Sequence, residues 1–351
     1  MNTNVFSLFS LIFFISVISG YSQNIDSPQP NPRSSIMQRV GLTYVTIEYS
    51  SSPVNNRKKF GNDIPYGHIW GAGTRENTTI EFTDDVLIEG QKINAGKYGL
   101  FMIPDENKFQ LIFSKYNRSW SDTYPTEDEI VLKVNATPKE NRFTEWMSYH
   151  FIDRRMEHCV ATLEWENISV PFKIEVVNPN EVLFKSLTAE LKGRGKYLWG
   201  AYSDAATNLN WRNIHLDTAL DWINESLKIE RNHINLQVKA SILIKIGGRN
   251  DEVKELLREA VPISKNPLVL NGIVYDLLKI NDTKMAIEAA HKLVNDNPNH
   301  TMTWGFNDTL AEAYKIDGNK KKALYYYKIA KSLAPENQLK YFEKAIKELQ
   351  N

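Results

Sequence analysis

The sequence predicts two folded parts: an antiparallel β-sandwich or barrel-like domain over residues 36–177, then an α-helical-hairpin repeat array over residues 178–351. Two observations carry this prediction. Apolar residues recur with period two as far as Val177, and with a period of 3.6 beyond Pro179. A segment near the C-terminus also repeats itself at a fixed offset.

Ahead of the first folded part, Val5 to Ile18 reads VFSLFSLIFFISVI, fourteen residues without a charge. A bilayer span takes roughly 20 apolar residues, so this run suits the hydrophobic core of a signal peptide. Gly20 and Ser22 supply small residues at the −3 and −1 positions of a cleavage site. A signal peptide is therefore expected over residues 1–22, leaving Gln23 as the new N-terminus. An uncleaved anchor is the alternative, because Met1 to Asn4 carries no Lys or Arg. No cysteine follows the run, which excludes a lipid-modified N-terminal cysteine. The expectation is export through the inner membrane to a periplasmic or secreted location, with no stable membrane span after cleavage. Residues 23–35 hold three prolines in a polar background and read as a flexible spacer.

The strands are expected in order. Val45, Ile47 and Tyr49 share one face, and Ile80 and Phe82 another. Val86–Ile88 runs into a turn at Glu89-Gly90, and Asn94-Ala95-Gly96 forms the next. Strands over 98–103 and 109–113 flank a turn at Pro104 to Asn107. Four more are expected at 130–134, 146–152, 160–165 and 170–177. In the last, Val170, Phe172, Ile174 and Val176 alternate with Lys173 and Glu175, the pattern of a half-buried strand. About nine short strands with turn signals between them predict a sandwich or barrel.

Asn178-Pro179-Asn180 is the hinge. Beyond it three amphipathic helices are expected, on Val182, Leu183, Leu187 and Leu191, then on Trp199, Tyr202, Ala206 and Leu209, then on Ala219, Trp222, Ile223 and Leu227. The stretch from Gln237 to Ala260 realigns with the stretch ending at Ala330 at an offset of 70, about two 34-residue periods. The second copy resembles a tetratricopeptide repeat. Leu310, Ala311 and Tyr314 fit its first helix, and Ala323, Tyr327, Ala330 and Pro335 fit the second helix and its stop. Asn307 stands where that pattern usually has Trp, and Ala286 and Pro298 mark a weaker intermediate copy. Small Ala residues permit close helix crossing, and pairs of this kind must stack to bury their faces.

Composition bounds the function. Lys+Arg and Asp+Glu number 42 each, so the chain lacks the basic excess of a dedicated nucleic-acid binder. Cys159 is the single cysteine, so no intrachain disulfide forms, and its strand setting suits a small buried hydrophobe better than a nucleophile. No H-E-x-x-H or G-x-S-x-G occurs, and Gly193 to Tyr197 lacks the Ser/Thr of a phosphate loop. The seven His residues show no paired metal spacing, so neither cofactor nor metal is expected.

The β region resembles domain-of-unknown-function family 2911, found in exported bacterial proteins. The likeness is carried by Val40-Gly41-Leu42-Thr43 with Val45 to Ser50, by Phe60-Gly61, by Ile64-Pro65-Tyr66-Gly67 with Ile69-Trp70, by Ile88-Glu89-Gly90, and by Ala95 to Phe101 with Ile103-Pro104. It covers roughly residues 27–175. Gly71 follows Trp70 where the family commonly has Arg, which removes that Arg from any site here. The resemblance implies export and domain bounds, and brings no activity with it.

Two loops stand out. The first, over residues 51–77, is long for a compact domain and carries Arg57, Lys58, Asp63, Tyr66, His68, Trp70, Arg75 and Glu76. One reading is a ligand pocket, with Arg57 and Arg75 for an anionic group and Trp70 for stacking. The commoner use of such a loop is to cover the sandwich, with Trp70 and Tyr66 as plugs. The second loop, Ser114 to Glu129, interleaves Tyr116, Arg118, Trp120, Asp122 and Tyr124, a set that binds sugars or caps a sheet edge. His68 with Asp63 and Glu76 is the one acid–base cluster, and makes a hydrolase with its site in residues 51–77 the enzymatic alternative. The leading expectation is a non-enzymatic envelope protein. Its repeats would bind a protein or peptide, and its β domain a small ligand or glycan. A purely structural envelope role is the third.

Overall fold

The computed structural model describes residues 29–118, 120 and 122–350. The expected signal segment lies outside the described residues. Two compact units emerge, dividing at Glu175/Val176.

Among the described residues the first unit has ten strands: β1 (Arg33–Val40), β2 (Thr43–Ser50), β3 (Thr79–Phe82), β4 (Val86–Ile88), β5 (Gln91–Ile93), β6 (Gly96–Ile103), β7 (Phe109–Ser114), β8 (Ile130–Ala136), β9 (Lys139–Ile152) and β10 (His158–Val176). They form two antiparallel sheets, one of order β1-β2-β3-β6-β7-β8 and one of order β5-β4-β10-β9. The sandwich expectation holds, and the sheets stay separate rather than closing into a barrel. Their inner faces meet through aromatic rings. Tyr49 of β2 lies edge-on to Tyr149 of β9 at 4.9 Å, and Phe60 touches both Phe109 of β7 and Trp165 of β10.

Two differences from the sequence reading have physical causes. Strand β1 starts at Arg33, so Arg33 to Ser35 of the expected spacer lie in the sheet. Its alternation is of exposed and half-buried residues, too polar to stand out in the sequence. The strands expected at 160–165 and 170–177 are one, β10. Its buried apolar residues are odd-numbered from Cys159 to Trp165 and even-numbered from Val170 to Val176. A bulge accounts for the change of parity. The register to β9 shifts on either side of Glu166, whose φ is +52°, with two residues of β10 set against four of β9 at each step, and the irregular backbone there turns the later side chains to the other face.

The second unit has ten helices among the described residues: α1 (Pro179–Lys192), α2 (Trp199–Arg212), α3 (Leu216–Ile229), α4 (His233–Ile246), α5 (Asn250–Ile263), α6 (Pro267–Lys279), α7 (Thr283–Asp296), α8 (Thr303–Ile316), α9 (Lys320–Leu333) and α10 (Leu339–Gln350). The offset of 70 recurs in the helix bounds, since α4 and α5 map onto α8 and α9 at all four ends. Helices α6 and α7 fill the interval, and α2 with α3 add an earlier hairpin 34 residues ahead of α4 and α5. Asn232, Asn266, Asp282 and Asn319 each cap a helix by accepting from backbone amides of its first turn. One buried cluster runs from α4 to α10, in which Leu310, Ala311, Tyr314, Ala323, Tyr327 and Ala330 are all buried, and a second joins α2, α3 and α4. Pro335 follows the end of α9 and is exposed. Helices α2, α4, α6 and α8 pack successively on one another, whereas the second helices of neighbouring hairpins barely meet. The first helices therefore line the inner, concave side of the array. Among the described residues, no helix is long and apolar enough to cross a membrane.

Candidate functional site

The 51–77 loop folds onto the sandwich as a cover. Trp70 sits on an isolated bridge to Met102, with both backbone bonds at 2.8 Å. Its ring stacks on Trp165 at 6.0 Å and meets Phe60 edge-on at 5.7 Å, while Nε1 donates to the Gly73 carbonyl at 3.0 Å. Lys59 is buried beside it, its ammonium 5.3 Å from the Trp165 ring centre and 3.1 Å from the Asp63 carboxylate. Glu166, thrown out of register by the bulge, accepts from the amides of Lys59 and Phe60 and ties down the turn. Tyr66 packs over Gly61, where a Cβ would come within 2.7 Å of its ring. Burial, and after it Glu106, raises the Tyr66 phenol above its ordinary range.

The acid–base cluster expected around His68 is not assembled. Asp63 pairs with Lys59 and, at 3.4 Å, with Arg57. Glu76 pairs with Arg33 at 3.2 Å. His68 is exposed and its Nδ1 lies 3.0 Å from the carbonyl oxygen of Tyr66. Arg75 reaches Gln29, and Lys58 is exposed at the turn. Cys159 is buried, which pushes its thiol up to about 12 and leaves it without nucleophilic character at neutral pH. Among the described residues no three His, Cys, Asp or Glu side chains converge as metal ligands would.

Two of the expected site residues, Glu76 and Trp120, do meet, on the outer surface of the six-stranded sheet. Their backbones form an isolated antiparallel bridge. Beside it opens a pocket of about 560 Å³, lined also by Arg33, Asn77, Lys97 and Arg118. The pocket is built on adjacent strands. Glu48 of β2 holds Arg33 of β1 at 3.6 Å and Lys97 of β6 at 2.6 Å, and Thr79 of β3 donates to it. The bond from Lys97 holds the Glu48 carboxyl below its usual range against the opposing effect of burial. Asn117 donates to the Lys97 carbonyl at 2.8 Å, which seats the second loop over the sheet. Trp120 is 60% exposed, and Arg118 has no ion pair among the described residues. Asn77 is 4% exposed, donates through Nδ2 to the Thr78 carbonyl, and has a buried Oδ1 that accepts from no donor. Sequence reasoning missed Arg33, Asn77 and Lys97, because Arg33 and Lys97 are unremarkable polar residues on strands β1 and β6 and Asn77 lies just ahead of β3.

In the second unit the inner side carries a polar ladder from hairpin to hairpin. Asn210 donates to Ser241, Gln237 to Asp276 at 2.7 Å, and Thr309 to Asn271 at 2.7 Å. Lys245, Lys279 and Lys315 each occupy the last turn of a first helix, where a cation also complements the helix dipole. Lys279 is paired with Asp276 and Lys315 with Glu312, while Lys245 reaches the Asn210 carbonyl. Near the end of the array, burial pushes Asp308 up to about 6, and Tyr341 of α10 donates to it at 3.3 Å.

The model of the family described as "Protein of unknown function (DUF2911)" matches residues 31–174, which is the strand region. No curated protein matches the chain. The solved structures that resemble it include PilF of Pseudomonas aeruginosa, at 15% identity and a TM-score of 0.38, covering 45% of this chain and 69% of that one. They include MamA, at 13% identity and a TM-score of 0.35, covering 43% and 85%. They also include YrrB, described as a TPR protein with an unusual peptide-binding site, at 16% identity and a TM-score of 0.28, covering 46% and 99%.

Proposed function

We propose that this chain is an exported protein-binding scaffold whose helical array holds an extended, acidic peptide segment along its inner side. The observation that carries the reading is the row Lys245, Lys279 and Lys315, one lysine per hairpin at positions 34 and 36 residues apart on helices α4, α6 and α8. Packed first helices sit about 8–10 Å apart. An extended strand rises about 3.3 Å per residue, so a carboxylate at about every third residue would meet successive lysines. Lys245 already feels this row, its pKa drawn down by burial first and by Lys279 second. The carboxylates Asp276 and Glu312 hold the lysines in place in the unbound state and would be exchanged for those of the partner. Neutral side-chain amides on the ladder supply partners for peptide groups.

Export rests on the uncharged run Val5–Ile18 and the small residues Gly20 and Ser22. The test is an N-terminal mass measurement on protein recovered from the envelope or medium. A chain beginning at Gln23 supports export, and an intact chain from Met1 in the cytosol overturns it.

Peptide binding is tested by fluorescence anisotropy on the full chain, with extended peptides bearing Asp or Glu at every third residue and with Lys-substituted counterparts. The acidic peptide should bind more tightly, weaken as salt rises, and lose about tenfold in affinity with Lys279→Glu, as expected for about 1.4 kcal/mol of lost charge pairing. Equal binding of acidic and basic peptides, or an unchanged affinity in the variant, would refute the reading.

A further inference from the structure

We propose that the pocket between Arg33, Glu76, Lys97, Arg118 and Trp120 on the β unit is a binding site for an acidic saccharide, a sugar ring carrying one carboxylate. The site belongs to the other unit and is independent of the peptide reading.

Three features of the pocket select this class. The first is the indole of Trp120, 60% exposed on a polar surface where a solitary large aromatic gains nothing by contact with water. Its backbone is fixed by the bridge to Glu76, so the ring belongs to a segment anchored at the rim. A flat apolar face edged with polar groups fits the axial C–H face of a pyranose, whose hydroxyls project outward from the ring edge.

The second is charge. Arg33, Lys97 and Arg118 supply three cations, and Glu48 and Glu76 two carboxylates, which leaves one positive charge. Arg33 and Lys97 are held by those carboxylates, whereas Arg118 has no ion pair among the described residues. A guanidinium fork with no carboxylate of its own matches a single planar carboxylate bidentately. A doubly charged phosphate would meet Glu76 at close range, and this disfavours it.

The third is the mixture of donors and acceptors. Asn77 lines the pocket, with its Oδ1 buried beside Gly99. Glu76 adds an exposed acceptor, and Asn117 lies beside the pair. Hydroxyls both donate and accept, so a sugar satisfies such a lining where a purely anionic or purely apolar ligand does not. The volume of about 560 Å³ accommodates one or two rings.

The experiment is isothermal titration of the full chain with digalacturonate and trigalacturonate, with the matched neutral galactose oligomers, and with inorganic phosphate. The uronates should bind at least tenfold more tightly than the neutral sugars. Trp120→Ala and Arg118→Gln alter exposed side chains and should leave the melting temperature unchanged. Trp120→Ala should weaken uronate binding by tenfold or more, and Arg118→Gln should abolish the preference for uronate over neutral sugar. Equal binding of charged and neutral sugars overturns the assignment, as does phosphate competing at equal concentration, or uronate affinity unmoved in both variants. No heat with any sugar at 10 mM overturns it as well.

Discussion

Replacing Trp70 by alanine distinguishes a plug from a binding platform. The side chain is 9% exposed, with Trp165 stacked on one side and Phe60 edge-on to it. Burying an indole removes roughly 200 Å² from water, worth about 5 kcal/mol at about 25 cal/mol per Å² as an upper bound. Alanine keeps a small part of that and leaves a cavity bounded by stiff rings, so the expected loss is about 3–5 kcal/mol. Loss of the Nε1 bond to the Gly73 carbonyl falls within that range. The chain has two compact units, so a single unfolding free energy is the wrong readout. Scanning calorimetry on the full chain is suited to it. One transition should fall by roughly 10–20 °C, and the other should stay put. Trp70→Phe retains the ring contacts and should cost about a third as much. A Trp70→Ala chain whose transitions both remain within 2 °C or so of the parent would refute the covering role and return the loop to candidacy as a site.

Gly99→Ala should destabilise the β unit by about 1–3 kcal/mol, read as a lower urea midpoint, because its Cβ would lie 2.2 Å from the Tyr116 carbonyl and 2.9 Å from the Phe101 ring. The displaced loop carries Asn117 and Arg118, so sugar binding should weaken with it. Asp308 gives the helical unit a pH dependence. Its folded pKa of about 6 lies above its ordinary value, so the folded state holds a proton that the unfolded state has released. Its contribution is therefore full in acid and is lost as pH rises through about 6. Asp308→Asn should raise the melting temperature of the helical transition at pH 7 relative to the parent, with the difference vanishing towards pH 4.

The fold was legible because both periods are local properties of the chain. Val170 to Val176 alternates over seven residues, and the repeat from Gln237 to Ala260 matches its partner at an offset of 70, independent of any other segment. The misreadings fall where a neighbour decides. Arg33 to Ser35 looks like spacer, because an exposed edge strand has no apolar face to announce it. Strand β10 reads as two, since the bulge at Glu166 exchanges inner and outer positions, and only pairing to β9 shows that the backbone continues. The hairpin of α2 and α3 escaped as a repeat copy because Asn210 stands where the last copy has Tyr314.

The pocket was illegible for a deeper reason of the same kind. Its residues lie at 33, 76, 77, 97, 118 and 120, and no window of sequence holds more than a few of them. They converge because β6 enters the sheet beside β3 rather than beside its sequence neighbour β5, which belongs to the other sheet. That exchange places Lys97 across β3 from Glu48 and aligns Gly99 with Thr79. Gly99 in turn lets the Tyr116 carbonyl approach the sheet, since a side chain there would strike it. The seating of Tyr116 and Asn117 over the sheet therefore depends on the register of β3, β6 and β7. Long loops rich in aromatic and charged residues attract attention in a sequence, yet the 51–77 loop spends its Trp70 and Lys59 on the core. What distinguishes the two loops physically is which of their indoles finds an apolar partner. Trp70 has Phe60 and Trp165, whereas Trp120 has no ring partner among the described residues and is 60% exposed, and a ring left in that setting is available to a ligand.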